Sequence, residues 1–184
     1  MREMDKAFDF KTAQQRWYAV WEEAKVFEAK PESGKQPWSI VIPPPNITGN
    51  LHMGHALVNT LHDVLTRFKR AQGFDALWVP GTDHAGIATQ MMVERQLKAE
   101  GKTRHDLPRA EFEARIWAWK EQNQGAIEHQ LKRMGAGVDW SRNRFTLDPA
   151  LNKAVRHVFV EAYKQCRIYR GPRMIQWYPA LQTA

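Results

Sequence analysis

Cysteine is almost missing: Cys166 is the only one in 184 residues. That excludes an intrachain disulfide and a cysteine cluster holding zinc. Its periodic, helical surroundings predict a buried, inert thiol. No apolar run reaches membrane-spanning length, and Met1-Arg2-Glu3-Met4-Asp5-Lys6 opens no signal-peptide core. No membrane partner is therefore expected, and the cytoplasm is the expected compartment. There is no block of like charge to mark a tail, no internal repeat and no low-complexity segment. What is present is a hydrophobic fraction of 43% with eight tryptophans, which excludes disorder. The length suffices for one domain with a proper core. The net charge of +7 suits a polyanionic partner such as a nucleotide or RNA.

Local pattern places the elements. Trp17, Val20, Trp21 and Ala24 recur at helical spacing over residues 10–25, and a turn-rich linker, 31–37, follows. Trp38-Ser39-Ile40-Val41-Ile42 reads as a buried strand. A helix starts at Met53, with Leu57, Leu61, Val64, Leu65 and Phe68 on one face, Lys69 and Arg70 in its last turn and Gly73 as a stop. Residues 74–79 read as a second strand, ended by Pro80-Gly81. Strand, helix, strand at this spacing is a βαβ unit, so the expected class is helix-rich α/β with a parallel sheet and a right-handed crossover. Further helices are predicted over 86–100, from about 106 or 108 to 134 (Phe112, Ile116, Trp119, Ile127, Leu131 and Met134 as its apolar stripe), and after Asp148-Pro149. Val155, Val158, Phe159 and Ala162 are expected to form the buried face of the last. Residues 173–178 are expected to form a third strand.

Between the first strand and its helix lies Pro43-Pro44-Pro45-Asn46-Ile47-Thr48-Gly49-Asn50-Leu51-His52-Met53-Gly54-His55. A helix N-terminus presents unpaired N–H groups and a partial positive charge to an anion. The dipole is worth roughly 0.3–1 kcal/mol, or about 2 when partly buried, enough to position a phosphate but not to accelerate a reaction by itself. His52 and His55, one turn apart, add directional donors where phosphate charge would develop. A lone His-x-Gly-His can equally be a helix cap plus a packing residue. In parallel sheets ligands bind beyond the carboxyl ends of the strands. Residues 43–55 and 81–86 both lie at such ends, so they are expected to face one cleft.

His52-Met53-Gly54-His55 resembles the HIGH signature of class I aminoacyl-tRNA synthetases, and the longer run 43–55 resembles that of the valyl-tRNA synthetase family. Gly81-Thr82-Asp83-His84-Ala85-Gly86-Ile87-Ala88-Thr89-Gln90 and Gly101-Lys102-Thr103-Arg104-His105-Asp106 are similar to the same family. The resemblance runs along essentially the whole chain. It implies the first half of a Rossmann-like catalytic nucleotide-binding fold over 38–184, preceded by an N-terminal helix and linker over 1–37. It also implies activation of valine with ATP, Mg2+ accompanying the phosphates, and transfer of the valyl group to tRNA(Val). His52 and His55 would then be catalytic. Asn46, Thr48, His52, Gly54 and His55 would contact ATP, Pro43 and Pro44 would wall the amino-acid side chain, and Asp83 would take its ammonium. In the family the chain continues into editing, KMSKS-bearing and anticodon-binding parts. No KMSKS-type motif occurs here, so the remainder of a longer synthetase is an expected partner. Trp177-Tyr178-Pro179-Ala180-Leu181 departs from the family pattern, in which an acidic residue or a zinc-binding cysteine is common at the second position. No protein-bound zinc is expected.

Three other readings stay open: a small nucleotidyltransferase with the same His-x-Gly-His helix start, a piece that binds ATP or RNA without turnover, and a sister synthetase for isoleucine.

Overall fold

The computed structural model describes residues 7–180. Contacts divide the chain into two compact units, with the break between Thr146 and Leu147. In the first unit, α1 (Phe10–Glu23) is capped by the Asp9 carboxylate, which accepts from the Lys11 and Thr12 amides. It is anchored by Tyr18, a residue outside the expected stripe. The Tyr18 hydroxyl donates to Ala136 O at 2.8 Å and accepts from Trp140 Nε1 at 2.7 Å. Trp17 and Val20 stay exposed.

The centre is a parallel ladder. β1 (Pro37–Val41) leads through the loop to α2 (Met53–Ala71), which returns the chain to β2 (Asp75–Val79). β1 and β2 pair in parallel from Pro37↔Asp75 to Val41↔Val79, so the expected βαβ unit is present. Pro80, which has no N–H to give, separates β2 from β3 (Gly81–Thr82). α3 (Gly86–Ala99) and α4 (Arg109–Arg133) follow, and then β4 (Arg144–Phe145), which pairs in parallel with β3. Gly81 is obligatory there, because a Cβ would sit 2.8 Å from the Arg144 carbonyl oxygen. The further parallel pairing is therefore that of Arg144–Phe145 with β3, in a second two-stranded sheet. Residues 173–178, expected to form a third strand, contain only one bridging residue, Tyr178.

The core joins Ile42, Ile47 and Trp78 to Ile127 and Leu131 of α4 and to Ala136, Val138 and Phe145. Burying Trp78, which is fully covered, contributes several kcal/mol, at about 25 cal/mol per Å² over roughly 150–250 Å².

α2 lies on the sheet with its polar side inward. Asn59 and Thr66 are buried, and the His62 ring meets Trp78 edge-on with centroids 5.8 Å apart. Asp63 Oδ1 accepts from Gly137 N at 2.8 Å. Arg67 donates to Gly135 O at 2.7 Å, and Arg70 to Phe27 O and Gly137 O at 3.2 and 2.9 Å. These bonds tie part of the polar face to the 135–137 turn, while Asn59 Oδ1, His62 Nδ1 and Arg70 Nη1 are buried without a hydrogen-bond partner among the described residues. The apolar face, Leu57 through Phe68, is 49–63% exposed.

The second unit contains α5 (Pro149–Lys164), with Asp148 at its N-cap position and Pro149 at its first. Val155, Val158 and Phe159, expected to be buried, are 64–67% exposed. Cys166 is exposed as well, contrary to the buried thiol expected from periodicity. It lies past the end of α5 at φ +56°, where its amide donates to Tyr163 O and that of Arg167 to Ala162 O. The helix closes at that turn, so the apparent periodicity through Cys166 has no helical face to bury it. Among the described residues no helix is long and apolar enough to cross a membrane.

Candidate functional site

The amino end of α2 is built from its own two imidazoles. His52 is the N-cap, and its Nδ1 accepts from the Gly54 amide at 3.1 Å. His55 reaches back, its Nδ1 accepting from the His52 amide at 3.1 Å. The rings are in close, tilted contact, with centroids 3.9 Å apart and planes inclined by 38°. An Nδ1 that accepts from an amide carries no proton, so each neutral ring holds its proton on Nε2. Capping and anion binding are therefore not rivals here: the cap occupies Nδ1 and leaves an Nε2–H donor on each ring. Gly54 serves the same geometry. A Cβ at this position would come within 2.9 Å of His52 Cε1 and push the ring out of its bond.

Burial, and after it the neighbouring His52 ring, hold His55 below the usual imidazole range. A depressed imidazole favours the folded state when neutral. Its contribution is complete above the unfolded value of about 6.5 and is lost as pH falls through the lower folded value. Thermal stability should therefore decline on acidification below about pH 6.5. His55→Gln, whose amide can still reach back to the cap, should flatten that part of the melting-temperature profile. An unchanged profile would contradict the capping geometry.

The loop before the helix is held from α4. Trp119 Nε1 donates to Ile47 O at 2.7 Å, Gln130 Oε1 accepts from the Leu51 amide at 2.8 Å, and Gln130 Nε2 donates to Asn50 Oδ1 at 2.9 Å. Sequence reading placed Trp119 in an apolar stripe and gave Gln130 no role. The only available signal was a glutamine one residue from the buried Leu131. In Gln130→Leu the half-buried Leu51 amide loses its acceptor, at a cost of about 1–3 kcal/mol. Hydrogen exchange at Leu51 should accelerate roughly tenfold or more, while α1 is unaffected.

Residues 43–46, 48–52 and His55 line a cavity of about 390 Å³. Of the residues singled out from sequence, it gathers Pro43, Pro44, Asn46, Thr48, His52 and His55. Gly54 and Asp83 are outside the lining. Asp83 is nevertheless tied to it by backbone: Asn46 and Asp83 pair in parallel, with Asp83 N donating to Pro45 O at 2.9 Å and Ile47 N to Asp83 O at 3.0 Å. Paired residues of a parallel ladder project to the same face, so Asp83 stands beside Asn46 at the carboxyl end of the strands. Its Oδ1 accepts from Thr146 Oγ1 at 3.1 Å and from the Ala85 amide at 3.2 Å, and faces His84 Nδ1 at 3.2 Å. Oδ2 has no hydrogen-bond partner among the described residues, and the side chain is about a third exposed. Ala85 turns the chain into α3 from a left-handed conformation, φ 45° and ψ 47°. That costs an L-residue about 1–2 kcal/mol, offset in part by its amide bond to Asp83. Among the described residues no group of three or more His, Cys, Asp or Glu could hold a metal ion. Thr146, absent from the sequence reading, is the second missed residue.

Residues 16–184 match the family described as tRNA synthetases class I (I, L, M and V). The chain is 54% identical to a valine–tRNA ligase of Geobacter sulfurreducens, over all of this chain and 21% of that protein. It is 55% identical to one of Caulobacter vibrioides, over 98% of this chain and 20% of the other. It spans about a fifth of the length of these relatives. The LeuRS of Agrobacterium radiobacter, solved in a ternary complex with tRNA and LeuAMS, superposes with a TM-score of 0.80 at 21% identity, covering 96% of this chain and 21% of that one. At that identity the likeness concerns the fold: a helix-rich, Rossmann-like α/β architecture.

Proposed function

Since the chain belongs to the class I tRNA synthetases of the I, L, M and V group, we propose that it carries the valine-activating half-site of a valine–tRNA ligase. Valine would attack the α-phosphate of ATP to give valyl-adenylate and pyrophosphate, and the valyl group would then pass to tRNA(Val). The observation that carries this reading is the Asn46–Asp83 bridge. It pairs Asp83, whose Oδ2 has no hydrogen-bond partner among the described residues, with Asn46 of the cavity wall, which supports a cation site beside the anion site proposed at the helix N-terminus.

The roles divide by chemistry. His52 and His55 donate to the phosphates and stabilise charge as the α-phosphate becomes pentacovalent. Asn46 and Thr48 supply polar contacts from the cavity wall, while Gly54 keeps the His52 ring seated. Asp83 Oδ2 accepts the valine ammonium, and the exposed rings of Pro43 and Pro44 meet its side chain. An in-line displacement needs positioning and charge stabilisation and no covalent nucleophile. Mg2+ enters with ATP, held by phosphate oxygens and water, and the reaction runs in the cytoplasm with its tRNA. The assignment of 38–184 to the first half of the catalytic domain, with 1–37 as an added helix and linker, belongs to this proposal. So does the remainder of a synthetase as the partner that covers the open apolar face of α2.

Valine-dependent ATP–pyrophosphate exchange tests the proposal, with isoleucine as competitor. Exchange driven by valine supports it, and exchange driven better by isoleucine would redirect it to the sister enzyme. The pair of Nε2–H donors at the amino end of α2, able to hold an anion without further groups, favours one second reading, nucleotide binding without turnover. Calorimetric ATP binding without exchange would select that.

A further inference from the structure

We infer that Thr146 is a positioning residue for Asp83, relaying a hydrogen bond from His84 and thereby holding one carboxylate oxygen so that the other is free for an ammonium. The inference rests on the amino-acid-binding role proposed above for Asp83.

A threonine hydroxyl has one proton to give and two lone pairs to fill. Thr146 Oγ1 has three neighbours: the His84 amide at 2.9 Å, His84 Nδ1 at 2.6 Å and Asp83 Oδ1 at 3.1 Å. The amide can only donate and an ionised carboxylate can only accept. One lone pair therefore goes to the amide, and the single hydroxyl proton goes to Asp83. What remains is the second lone pair, which His84 Nδ1 can meet only as an N–H donor. His84 is thus the Nδ1–H tautomer, opposite to His52 and His55, whose Nδ1 atoms accept.

The relay runs His84 Nδ1–H to Thr146 Oγ1–H to Asp83 Oδ1, and each member is fixed independently. Thr146 is tied to the sheet by its own amide, which donates to Thr82 O at 3.2 Å. The His84 ring stands edge-on to Phe145, with centroids 6.5 Å apart. Asp83 is held through both its backbone groups by the Pro45–Ile47 strand. With the Ala85 amide also on Oδ1, that oxygen is occupied on several sides while Oδ2 is left open. A carboxylate free to rotate would present either oxygen to a ligand. This one presents a chosen oxygen, because the Thr146 hydroxyl and the Ala85 amide both donate to the other.

Two measurements on the whole chain test the relay. The first is the nitrogen-15 spectrum of the imidazoles at alkaline pH, with His84 assigned by His84→Gln. A protonated Nδ1 and a bare Nε2 are expected. A protonated Nε2 would overturn the relay, since the Thr146 proton would then have to point at His84. The second is calorimetric affinity for valine and for ATP in Thr146→Val, which keeps the shape and removes the hydroxyl, and in Thr146→Ser, which restores it. Valine affinity should fall at least tenfold in the valine variant and recover in the serine variant, with ATP affinity within twofold of wild type throughout. Parallel loss of both affinities, or no recovery with serine, would reduce Thr146 to a packing residue and overturn the inference. If the wild-type chain shows the Nδ1–H tautomer yet binds no valine, the ammonium role of Asp83 fails and the positioning role falls with it. That outcome is distinct from failure of the hydrogen-bond count.

Discussion

Replacing His52 and His55 together by alanine is expected to lower valine-dependent ATP–pyrophosphate exchange by about 10²–10³ or more, the usual consequence of deleting a donor aimed at developing charge. The two losses should not multiply, because in the proposed site both rings serve one phosphate and the two share one capping box. Their contact, 3.9 Å between centroids, means that removing one ring leaves its partner without a stacking surface. ATP affinity should weaken too, since hydrogen bonds to a charged group are worth about 1.5–3 kcal/mol each.

Alanine also removes the cap, at about 0.5–2 kcal/mol for an N-cap side chain, so the double alanine variant alone cannot separate chemistry from folding. The pair His52→Asn with His55→Gln can. Asparagine is a favoured N-cap, and glutamine at the third helical position can return a bond to the cap amide. The Nδ1 functions are thus retained while both Nε2–H donors are lost. The expected result is a melting temperature close to wild type with exchange still reduced by about two orders of magnitude or more. Wild-type exchange in that variant would show that the ring Nε2–H donors are not required, since only side-chain amide N–H groups would remain.

The capping geometry also explains how far the sequence could be read. Helix starts, the βαβ unit and the loop before α2 follow from local rules: spacing, proline, glycine and the dipole act within a few residues. The inversion of α2 does not. Its apolar stripe, Leu57 to Phe68, is the stronger periodic signal, yet Asp63, Arg67 and Arg70 find carbonyls and an amide in the 135–137 turn some seventy residues away. Those long-range bonds offset part of the cost of laying the polar face on the sheet, where Asn59 Oδ1 and His62 Nδ1 stay unpartnered among the described residues. The same holds for the site. Gln130 meets Leu51 across 79 residues and Thr146 meets Asp83 across 63, separations at which periodicity carries no information. β4 escaped because two residues, Arg144 and Phe145, make no apolar run. Their pairing is imposed by β3, where Gly81 leaves room for the Arg144 carbonyl.

Asp83→Asn is expected to weaken valine binding by roughly tenfold to a hundredfold while leaving ATP affinity and thermal stability near wild type. Asparagine keeps the carbonyl oxygen that Thr146 and the Ala85 amide require, so the turn into α3 has no reason to shift. What it removes is charge, and with charge the difference between an ion-paired ammonium and one that meets only a dipole, on the order of 1.5–3 kcal/mol for a charge-assisted bond. Orientation sharpens the test. The amide oxygen should take the position of Oδ1 facing its two donors, which leaves the amide nitrogen where Oδ2 was. A nitrogen carrying two protons there repels an ammonium instead of merely failing to attract it. Valine amide, which keeps the ammonium, should lose affinity as valine does, whereas isovalerate, which lacks it, should bind wild type and Asp83→Asn alike. If isovalerate and valine are weakened equally, the carboxylate shapes the loop and the ammonium is recognised elsewhere.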